Sequence, residues 1–253
     1  MSVSLTAQQL EVWFSTPQGD LPGLGPISVH IPAGQFVCLI GPSGCGKTTL
    51  IRVFAGLQQP TSGVAKLGGE QINGPSPRAG MMFQQTNLMP WRTVEQNVGL
   101  PLELAGVPSD VRLQRTQELL QMLRLDDFAQ TYPSALSGGM AQRAALGRLL
   151  AQGPDVLLLD EPFGALDAIT REQVSMDLQA LWQQANLTVS MVTHDINEAI
   201  LLADRILVMS PRPGQIIQDM AVDLPRPRNI SHIYDPQFSV ISRQVRTAID
   251  YWA

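Results

Sequence analysis

The sequence predicts an α/β fold built around a parallel sheet. Short apolar runs alternate with longer helical patterns along the 253 residues, which is typical of βαβ units. One of these runs, at 35–40, leads directly into the glycine-rich segment GPSGCGKT at 41–48. The length and a hydrophobic content of 44% suit one large domain, or one domain with a subdomain inserted in it.

Four apolar runs are predicted to form the core strands of this sheet. They lie at residues 35–40, 155–160, 187–193 and 205–210. The run KTTLIRVFAGL, which begins within the glycine-rich segment, predicts a helix. Asp195 and Glu198 have the spacing of a capping box at the start of the helix INEAILLA.

The remaining elements are expected to lie beside this sheet. The first thirty residues and the segment VAKLGGEQI predict antiparallel strands. Between residues 86 and 152 the pattern becomes helical, and we interpret this segment as an α-helical subdomain inserted in the α/β core. Its clearest apolar spacing is that of Val111, Leu113, Leu119, Leu120 and Leu123.

The segment 211–253 is interpreted as a short C-terminal extension. The proline-rich turns PRPG and LPRPR end regular structure there, and an amphipathic helix is predicted at 237–251. These roughly forty residues are too few for a separate regulatory domain.

Composition excludes several classes of protein. The formal charge of −5 gives no basic face for nucleic acid. The two cysteines, Cys38 and Cys45, lack the spacing of a zinc site and suggest a reducing cytoplasm. The N-terminus lacks the pattern of a signal peptide, and no apolar run reaches the roughly 18 residues that a membrane span needs. Any membrane role must therefore come through a partner protein.

The segment GPSGCGKT fits G-x-x-x-x-G-K-[ST], the pattern of a phosphate-binding loop. Backbone amides and Lys47 are expected to surround the β- and γ-phosphates of a nucleotide, with the Thr48 hydroxyl as a ligand of Mg²⁺. The residues expected to contact the nucleotide are Gly41, Pro42, Ser43, Gly44, Cys45, Gly46, Lys47, Thr48 and Thr49. Cys45 either lines this pocket or is a small buried thiol. The loop alone does not separate kinases, GTPases and transport ATPases.

The segment LLLDEP places two acidic residues at the end of a core strand. Because side chains alternate along a strand, Asp160 and Glu161 cannot both project the same way within it. Pro162 ends strand pairing, which leaves Glu161 on the turn. Asp160 is then expected to hold Mg²⁺ through water, while Glu161 orients and deprotonates the attacking water.

Two further strand ends supply polar side chains to the same edge. His194 ends a core strand and is placed to meet the γ-phosphate, because open α/β sheets bind ligands at this edge. Gln84 follows the apolar run MMF and is expected to reach Mg²⁺ and the water. Its neighbour Gln85 is the competing choice for that position.

The segment LSGGM at 136–140 predicts a second anion site. It lies immediately before the helix-forming run AQRAALGRLLAQ, and a helix N-terminus presents unpaired N–H groups to an anion. One loop already surrounds a triphosphate from one side. The second site makes most sense if two copies, or two homologous subunits, clamp ATP between them.

Taken together, these motifs resemble the ATP-binding subunits of ABC transporters over almost the whole chain. GPSGCGKT is similar to Walker A, LLLDE to Walker B, LSGGM to the family signature, FQQ to the Q-loop, GALD to the D-loop and VTHD to the switch-histidine loop. The fold implied by the resemblance is a P-loop NTPase with a RecA-like core, an antiparallel β subdomain and an α-helical subdomain.

The resemblance also implies how the site is assembled. A second ATP-binding subunit, identical or paralogous, would contribute Ser137, Gly138 and Gly139 to the nucleotide of the first. Asp167 would link the two subunits across the interface. An aromatic ring near the N-terminus stacks on adenine in this family, and Phe14 is chosen here over its neighbour Trp13.

Within the family, LMPWRTVEQNV and THDINEAILLADRILVMSPRPG resemble importers of the nitrate, sulfonate and taurine type, a group that includes uptake of bicarbonate and of pyrimidine precursors. A membrane permease is then expected to dock between Asn87 and Val98, at the cytoplasmic face of the inner membrane, with a solute-binding protein as an indirect partner. Pro90 and Trp91 either form part of that surface, or Trp91 packs under a loop. The alternatives are an exporter cassette, a non-transport ABC ATPase, and a soluble P-loop kinase or GTPase.

Overall fold

The computed structural model describes residues 2–251, which form ten strands and eight α-helices. The strands are β1 (Leu5–Thr16), β2 (Gly19–Ile31), β3 (Phe36–Ile40), β4 (Ser62–Leu67), β5 (Glu70–Gln71), β6 (Ala79–Met82), β7 (Val156–Asp160), β8 (Thr188–Val192), β9 (Arg205–Met209) and β10 (Ile216–Ala221). The helices are α1 (Lys47–Phe54), α2 (Val94–Val98), α3 (Leu100–Leu104), α4 (Ser109–Met122), α5 (Gly138–Ala151), α6 (Ala168–Ala185), α7 (Ile196–Leu202) and α8 (Pro236–Asp250).

The strands form two sheets. The larger has the order β10-β9-β3-β8-β7-β6, in which the five strands from β9 to β6 are parallel and β10 is antiparallel. The smaller sheet, β2-β1-β4-β5, is antiparallel throughout. The predicted α/β class with an antiparallel β part beside it is therefore confirmed.

The core strands are apolar along their whole length because both faces of the larger sheet are covered. Helices cover one face, and α1 together with the smaller sheet covers the other. Every residue of β3, β7 and β8 is therefore buried, as in parallel sheets that are covered on both faces. The four core strands predicted from sequence match the observed ones to within one or two residues at each end. Since parallel strands end at one edge, loops that follow β3, β7, β8 and β9 meet there.

Helix α1 ends earlier than the sequence pattern suggests. The backbone turns at Gly56, whose φ is +73°, and Gly56 N–H bonds to the carbonyl of Val53. A Cβ at Gly56 would lie 2.1 Å from the carbonyl oxygen of Gly74, so only glycine fits this helix end. The predicted extension to residue 57 is therefore wrong.

Helices α2 to α5 lie between β6 and β7, within the segment 86–152. Leu119, Leu120 and Leu123 are buried in the core as expected from their spacing. Val111 and Leu113 are instead 51% and 45% exposed, because they lie on the solvent side of α4. The predicted apolar face of this helix is thus correct only over its second half.

The predicted capping box at α7 is only half formed. The Asp195 carboxylate accepts the Glu198 N–H at 3.1 Å and caps the helix. The Glu198 side chain does not return to Asp195. It accepts a hydrogen bond from the Thr193 hydroxyl inside the protein, and that hydroxyl in turn accepts the Asp195 N–H at 3.0 Å.

The C-terminal part of the chain packs on the larger sheet. Strand β10 forms its edge, and α8 buries Phe238, Ile241, Val245 and Ala248 in the main core. The helix spans 236–250, close to the predicted 237–251, and residues 252–253 of the extension lie outside the described part of the chain. Among residues 2–251, no helix combines the length and the apolar character that spanning a membrane requires.

Candidate active site

The glycine-rich loop joins β3 to α1 at the edge where the parallel strands end. Strand β3 lies between β9 and β8, so the loop sits in the middle of that edge. Helix α1 begins at Lys47, and its N-terminal amides face the loop. The sequence pattern of strand, loop and helix is therefore present in the geometry that binds phosphate.

Lys47 is held inside the loop rather than extended into solvent. The side chain is 7% exposed, and its ammonium donates hydrogen bonds to the carbonyl oxygens of Gly41 at 2.8 Å and Pro42 at 3.0 Å. These two bonds fix a positive charge at the centre of the loop. A phosphate that enters the loop therefore meets a cation that is already in position.

The loop packs so closely against β2 that one of its glycines is obligatory. Gly46 has φ of +103°, and a Cβ there would lie 2.4 Å from the Leu24 side chain and 2.9 Å from the Gly23 carbonyl oxygen. Any larger residue would displace the loop. Cys45 agrees with the alternative of a small buried thiol, since its side chain is 1% exposed, belongs to the apolar core and has its Sγ 3.8 Å from Lys47 Nζ.

The Thr48 hydroxyl and the Asp160 carboxylate meet at the start of α1. Thr48 Oγ1 donates a hydrogen bond to Asp160 Oδ1 at 2.8 Å. Burial raises the pKa of Asp160, and the bond from Thr48 partly offsets that rise. Two oxygen ligands of the kind that Mg²⁺ prefers are therefore adjacent, although 112 residues separate them along the chain.

Glu161 has an unusual backbone conformation directly after β7. Its φ of +47° lies in the left-handed region, which is uncommon for a residue other than glycine, asparagine or aspartate. Its N–H bonds to the carbonyl of Val192 at 3.0 Å, and its Oε2 lies 3.4 Å from His194 Nδ1. The turn thus aims a carboxylate at the end of the neighbouring strand, and such strain is frequent at functional sites.

One cavity of about 210 Å³ brings most of these groups together. It is lined by Phe14, Gly23, Ser43, Gly44, Gly46, Lys47, Thr48, Thr49, Glu161 and Arg212. Of the two N-terminal aromatic candidates, Phe14 lines the cavity, whereas the Trp13 indole N–H bonds to Glu11 at 3.1 Å. The groups that line the cavity thus include the aromatic ring of Phe14, the ammonium group of Lys47 and the carboxylate of Glu161.

Other residues expected at the site lie outside this cavity. Gln84 is exposed, and Gln85 lines a separate cavity beside Arg148. Since Met82 pairs with Leu159, β6 ends at the same sheet edge as Asp160, and the segment that contains Gln84 begins there. The contact of Gln84 with Mg²⁺ stays a prediction.

Ser137, Gly138 and Gly139 begin α5, away from the cavity of their own chain. The Ser137 hydroxyl caps the helix by accepting the Met140 N–H at 3.3 Å. Gly139 is buried, and a Cβ there would lie 2.4 Å from the Thr170 side chain on α6.

The Asp167 carboxylate caps α6 by accepting the Thr170 N–H at 3.0 Å, and hydrogen bonds from Thr170 lower the pKa of Asp167. The two helix starts are therefore packed together.

The segment between β6 and α2 is fixed from inside and exposes its aromatic residue. The buried Asn97 amide accepts the Met89 N–H at 2.7 Å and donates to the carbonyls of Met89, Arg92 and Thr93. Trp91 is 71% exposed at the surface of this turn. The alternative in which Trp91 packs under a loop is therefore wrong.

Two residues of the cavity were missed by the sequence analysis. Gly23 belongs to β2 and carries no motif. Arg212 lies in the turn PRPG, which the sequence pattern indicates only as the end of a strand. The available signal was its position, since this turn follows β9 and the carboxyl end of β9 meets the phosphate loop at the same edge.

Comparisons with known proteins agree with this geometry. A family model described as ABC transporter matches residues 24–164. The aliphatic sulfonates import ATP-binding protein SsuB of Bacillus cereus is 41% identical over 251 residues, covering 99% of this chain and 97% of that protein. The nitrate import ATP-binding protein NrtD of Synechocystis is 41% identical over 242 residues, covering 93% and 91%.

Two further similarities extend this result. The taurine import ATP-binding protein TauB of Roseobacter denitrificans is 43% identical over 213 residues, covering 84% of this chain and 80% of that protein. Among solved structures, the dimeric post-hydrolysis state of an ATP-binding cassette with ADP and Pi is 30% identical. It covers 87% of this chain and 100% of that chain, with a TM-score of 0.76.

Proposed function

This chain belongs to the ABC transporter family, and we propose that it is the ATP-hydrolysing subunit of an importer for a small anionic solute. The candidate solutes are nitrate, a sulfonate such as taurine, or a bicarbonate-like anion. The names of the relatives at 41–43% identity support import of this kind. A separate membrane permease carries the solute, and a solute-binding protein delivers it.

The observation that carries the proposed chemistry is the position of Glu161, which lines the cavity that contains Lys47 and lies 3.4 Å from His194. Glu161 accepts the proton of a water molecule whose oxygen attacks the γ-phosphorus, and the bond to the β–γ bridging oxygen breaks. Lys47 neutralises charge on the β- and γ-phosphates. His194 hydrogen-bonds to the γ-phosphate, and the products are ADP and phosphate.

The residues suited to hold Mg²⁺ are Thr48 and Asp160, with Gln84 from the end of the neighbouring strand. The adjacent hydroxyl and carboxylate oxygens at 2.8 Å fit a hard cation that keeps several of its waters. When bound, Mg²⁺ neutralises the negative charge of the phosphate oxygens. Burial raises the pKa of the Asp160 carboxyl group, so a bound cation would stabilise its charged form.

The second half of the proposed site comes from another subunit, identical or paralogous. Ser137 and Gly138 are exposed at the start of α5 and lie outside the cavity of their own chain, so they are available to a facing subunit. ATP held between the subunits binds the closed pair better than the open one. Closure then moves the helical segment and the permease docked between Asn87 and Val98, at the cytoplasmic face of the inner membrane.

The variant Glu161→Gln tests this mechanism. We expect it to bind ATP normally, to lose hydrolysis by about 10²–10⁴-fold, and to form a stable dimer with ATP in light-scattering measurements. The matched control is the double variant Glu161→Gln with Lys47→Ala, which should stay monomeric. Unchanged phosphate release in Glu161→Gln would reject the role of the base.

Transport is tested separately in a strain that lacks this subunit. Uptake of nitrate, taurine and bicarbonate is compared before and after the wild-type chain is restored. We expect the uptake of one of these solutes to depend on the chain and on an external solute-binding protein. Uptake of all three anions that does not change when the chain is restored would favour an exporter or a non-transport ABC ATPase.

A further inference from the structure

We infer that Arg212 is a second cation of the nucleotide site, where it contacts the phosphates together with Lys47. This inference rests on the proposed function, because it takes ATP as the ligand of the cavity. It adds a residue that lies in none of the phosphate-loop, strand-end or signature motifs of the sequence.

Arg212 lies at the mouth of the cavity. It belongs to the turn between β9 and β10, is exposed, and lines the same space as Phe14 and Glu161. Its Nη2 donates one hydrogen bond to the carbonyl oxygen of Gly44, midway along the phosphate loop, at 3.3 Å. A guanidinium has five N–H donors, so most of its capacity remains for a ligand.

The backbone of this turn is docked against both walls of the site. Gly214 N–H bonds to the Gly23 carbonyl at 3.2 Å, and Gly25 N–H bonds to the Gly214 carbonyl at 3.0 Å. A Cβ at Gly214 would lie 1.8 Å from the carbonyl oxygen of Cys45, so the turn touches the phosphate loop directly. The side chain of Arg212 is therefore exposed on a backbone that is fixed, which limits the entropy lost when it binds.

The charges of the cavity need a second cation. Its lining includes one carboxylate, Glu161, and two cations, Lys47 and Arg212. Lys47 is buried and already bonded to two loop carbonyls. Without Arg212 the side chains that line the cavity would carry no net positive charge, which suits a polyphosphate poorly. Arg212 forms charge-assisted bonds to phosphate oxygens because its planar fork matches them.

Its place relative to Lys47 indicates which phosphates it contacts. Lys47 lies on the inner side of the loop at the start of α1, whereas Arg212 lies at the exposed mouth beside Gly44. The β- and γ-phosphates reach the inner position. Arg212 is then next to the phosphates nearer the sugar. It should therefore increase the affinity for ATP and for ADP by a similar factor and leave the affinity for adenosine unchanged.

The test compares Arg212→Gln and Arg212→Lys with the wild-type chain by calorimetric titration of ATP and ADP without Mg²⁺, and by competition with adenosine. We expect Arg212→Gln to lower the affinities for ATP and ADP by about tenfold and to leave the affinity for adenosine unchanged. Arg212→Lys should lower the affinities for ATP and ADP by less. The loss should shrink at high salt. Arg243→Gln is the matched control, since it removes an exposed arginine from α8 and should leave all three affinities unchanged.

Three results would overturn the inference. They are normal ATP affinity in Arg212→Gln, an equal loss for adenosine and ATP, or the same loss in Arg243→Gln. An equal loss for adenosine would mean that Arg212 shapes the part of the site that holds the nucleoside and does not contact the phosphates. Lys47→Ala separates this failure from failure of the proposed function, because a nucleotide site without any phosphate-loop role would bind ATP normally in that variant.

Discussion

The Thr48 hydroxyl donates a hydrogen bond to Asp160 Oδ1 at 2.8 Å and so joins the phosphate loop to the end of β7. Asp160→Asn keeps an oxygen that can accept this bond but removes the charge that a divalent cation needs. We expect the Mg²⁺ concentration for half-maximal phosphate release to rise about 10- to 100-fold, by analogy with lost support of metal ligands. Phosphate release measured during a titration of Mg²⁺ at a fixed ATP concentration gives this half-maximal value.

The control for this experiment is nucleotide binding in the presence of EDTA. Asp160→Asn should bind ATP there as the wild-type chain does, because Lys47 and the loop amides are unaffected. An unchanged Mg²⁺ requirement in phosphate release would contradict the assignment of Asp160 to the cation.

The contact between His194 and Glu161 predicts a second effect. His194 Nδ1 lies 3.4 Å from Glu161 Oε2, so the imidazole lies beside the proposed base, which lines the cavity. His194→Ala should lower the kcat of ATP hydrolysis by roughly 10²-fold with little change in KM, since the lost contact is to the reacting γ-phosphate. A rise in KM at unchanged kcat would instead indicate a residue that only binds ATP.

The buried carboxylate of Glu198 predicts a pH dependence of stability. Glu198 accepts hydrogen bonds from Thr193 and, at 3.5 Å, from Ser175. Burial is the main cause that raises its pKa to about 7, the hydrogen bond from Thr193 is the largest cause that opposes the rise, and the charge of Asp195 adds to it. The folded chain therefore holds a proton that the unfolded chain releases near the ordinary value of 4.5.

The sign follows from this difference. The contribution is fully present below the unfolded pKa and is lost as pH rises towards the folded value of about 7. Its size is on the order of 3 kcal/mol of unfolding free energy. Glu198→Gln should flatten this part of the profile, and urea unfolding at pH 5 and pH 8 measures both chains. Equal pH dependence in the two chains would contradict the assignment.

Much of the site could be predicted because its residues lie in contiguous motifs at strand ends. The loop that contains Lys47 and the acidic pair at the end of β7 are each set by a local pattern, and parallel strands bring such ends to one edge. The meeting of Thr48 with Asp160 follows from that rule alone. The family resemblance predicts Phe14 as the aromatic residue of the site, and Phe14 lines the cavity.

The rest depended on long-range packing that no local pattern contains. Arg212 enters the site only because Gly214 docks against Gly23, far away in the sequence. The Glu198 side chain leaves its expected capping position because Thr193 and Ser175 offer it partners inside the protein. The solvent-facing side of α4, which includes Val111, could not be distinguished by spacing, because apolar residues also occur on exposed surfaces.

The burial of Cys45 agrees with the alternative in which it is a small buried thiol. A thiol that lines the phosphate pocket would react with a reagent and be protected by ATP. Cys45 is instead 1% exposed, and Cys38 is fully buried with its pKa raised by burial. We expect neither thiol to react with Ellman's reagent in the native chain, and both to react in urea. Rapid native labelling that ATP slows would contradict this placement.

Trp91 predicts a separation of transport from ATP hydrolysis. It is 71% exposed, yet Asn97 and Arg148 fix the backbone around it, so the ring is presented on a rigid turn. Exposed, well-supported tryptophans are frequent anchors of protein interfaces. Trp91→Ala should leave ATP hydrolysis by the isolated chain unchanged and lower solute uptake, with an affinity loss for the permease of roughly 30-fold.

The matched control for Trp91 is Tyr234→Ala, which removes another exposed aromatic ring, 85% accessible, from the turn before α8. Both variants should keep the unfolding free energy of the wild-type chain, because neither ring is buried in the core. Only Trp91→Ala should lose co-purification with the permease and solute uptake. Equal loss in both variants, or loss of hydrolysis in the isolated Trp91→Ala chain, would contradict a docking role for this turn.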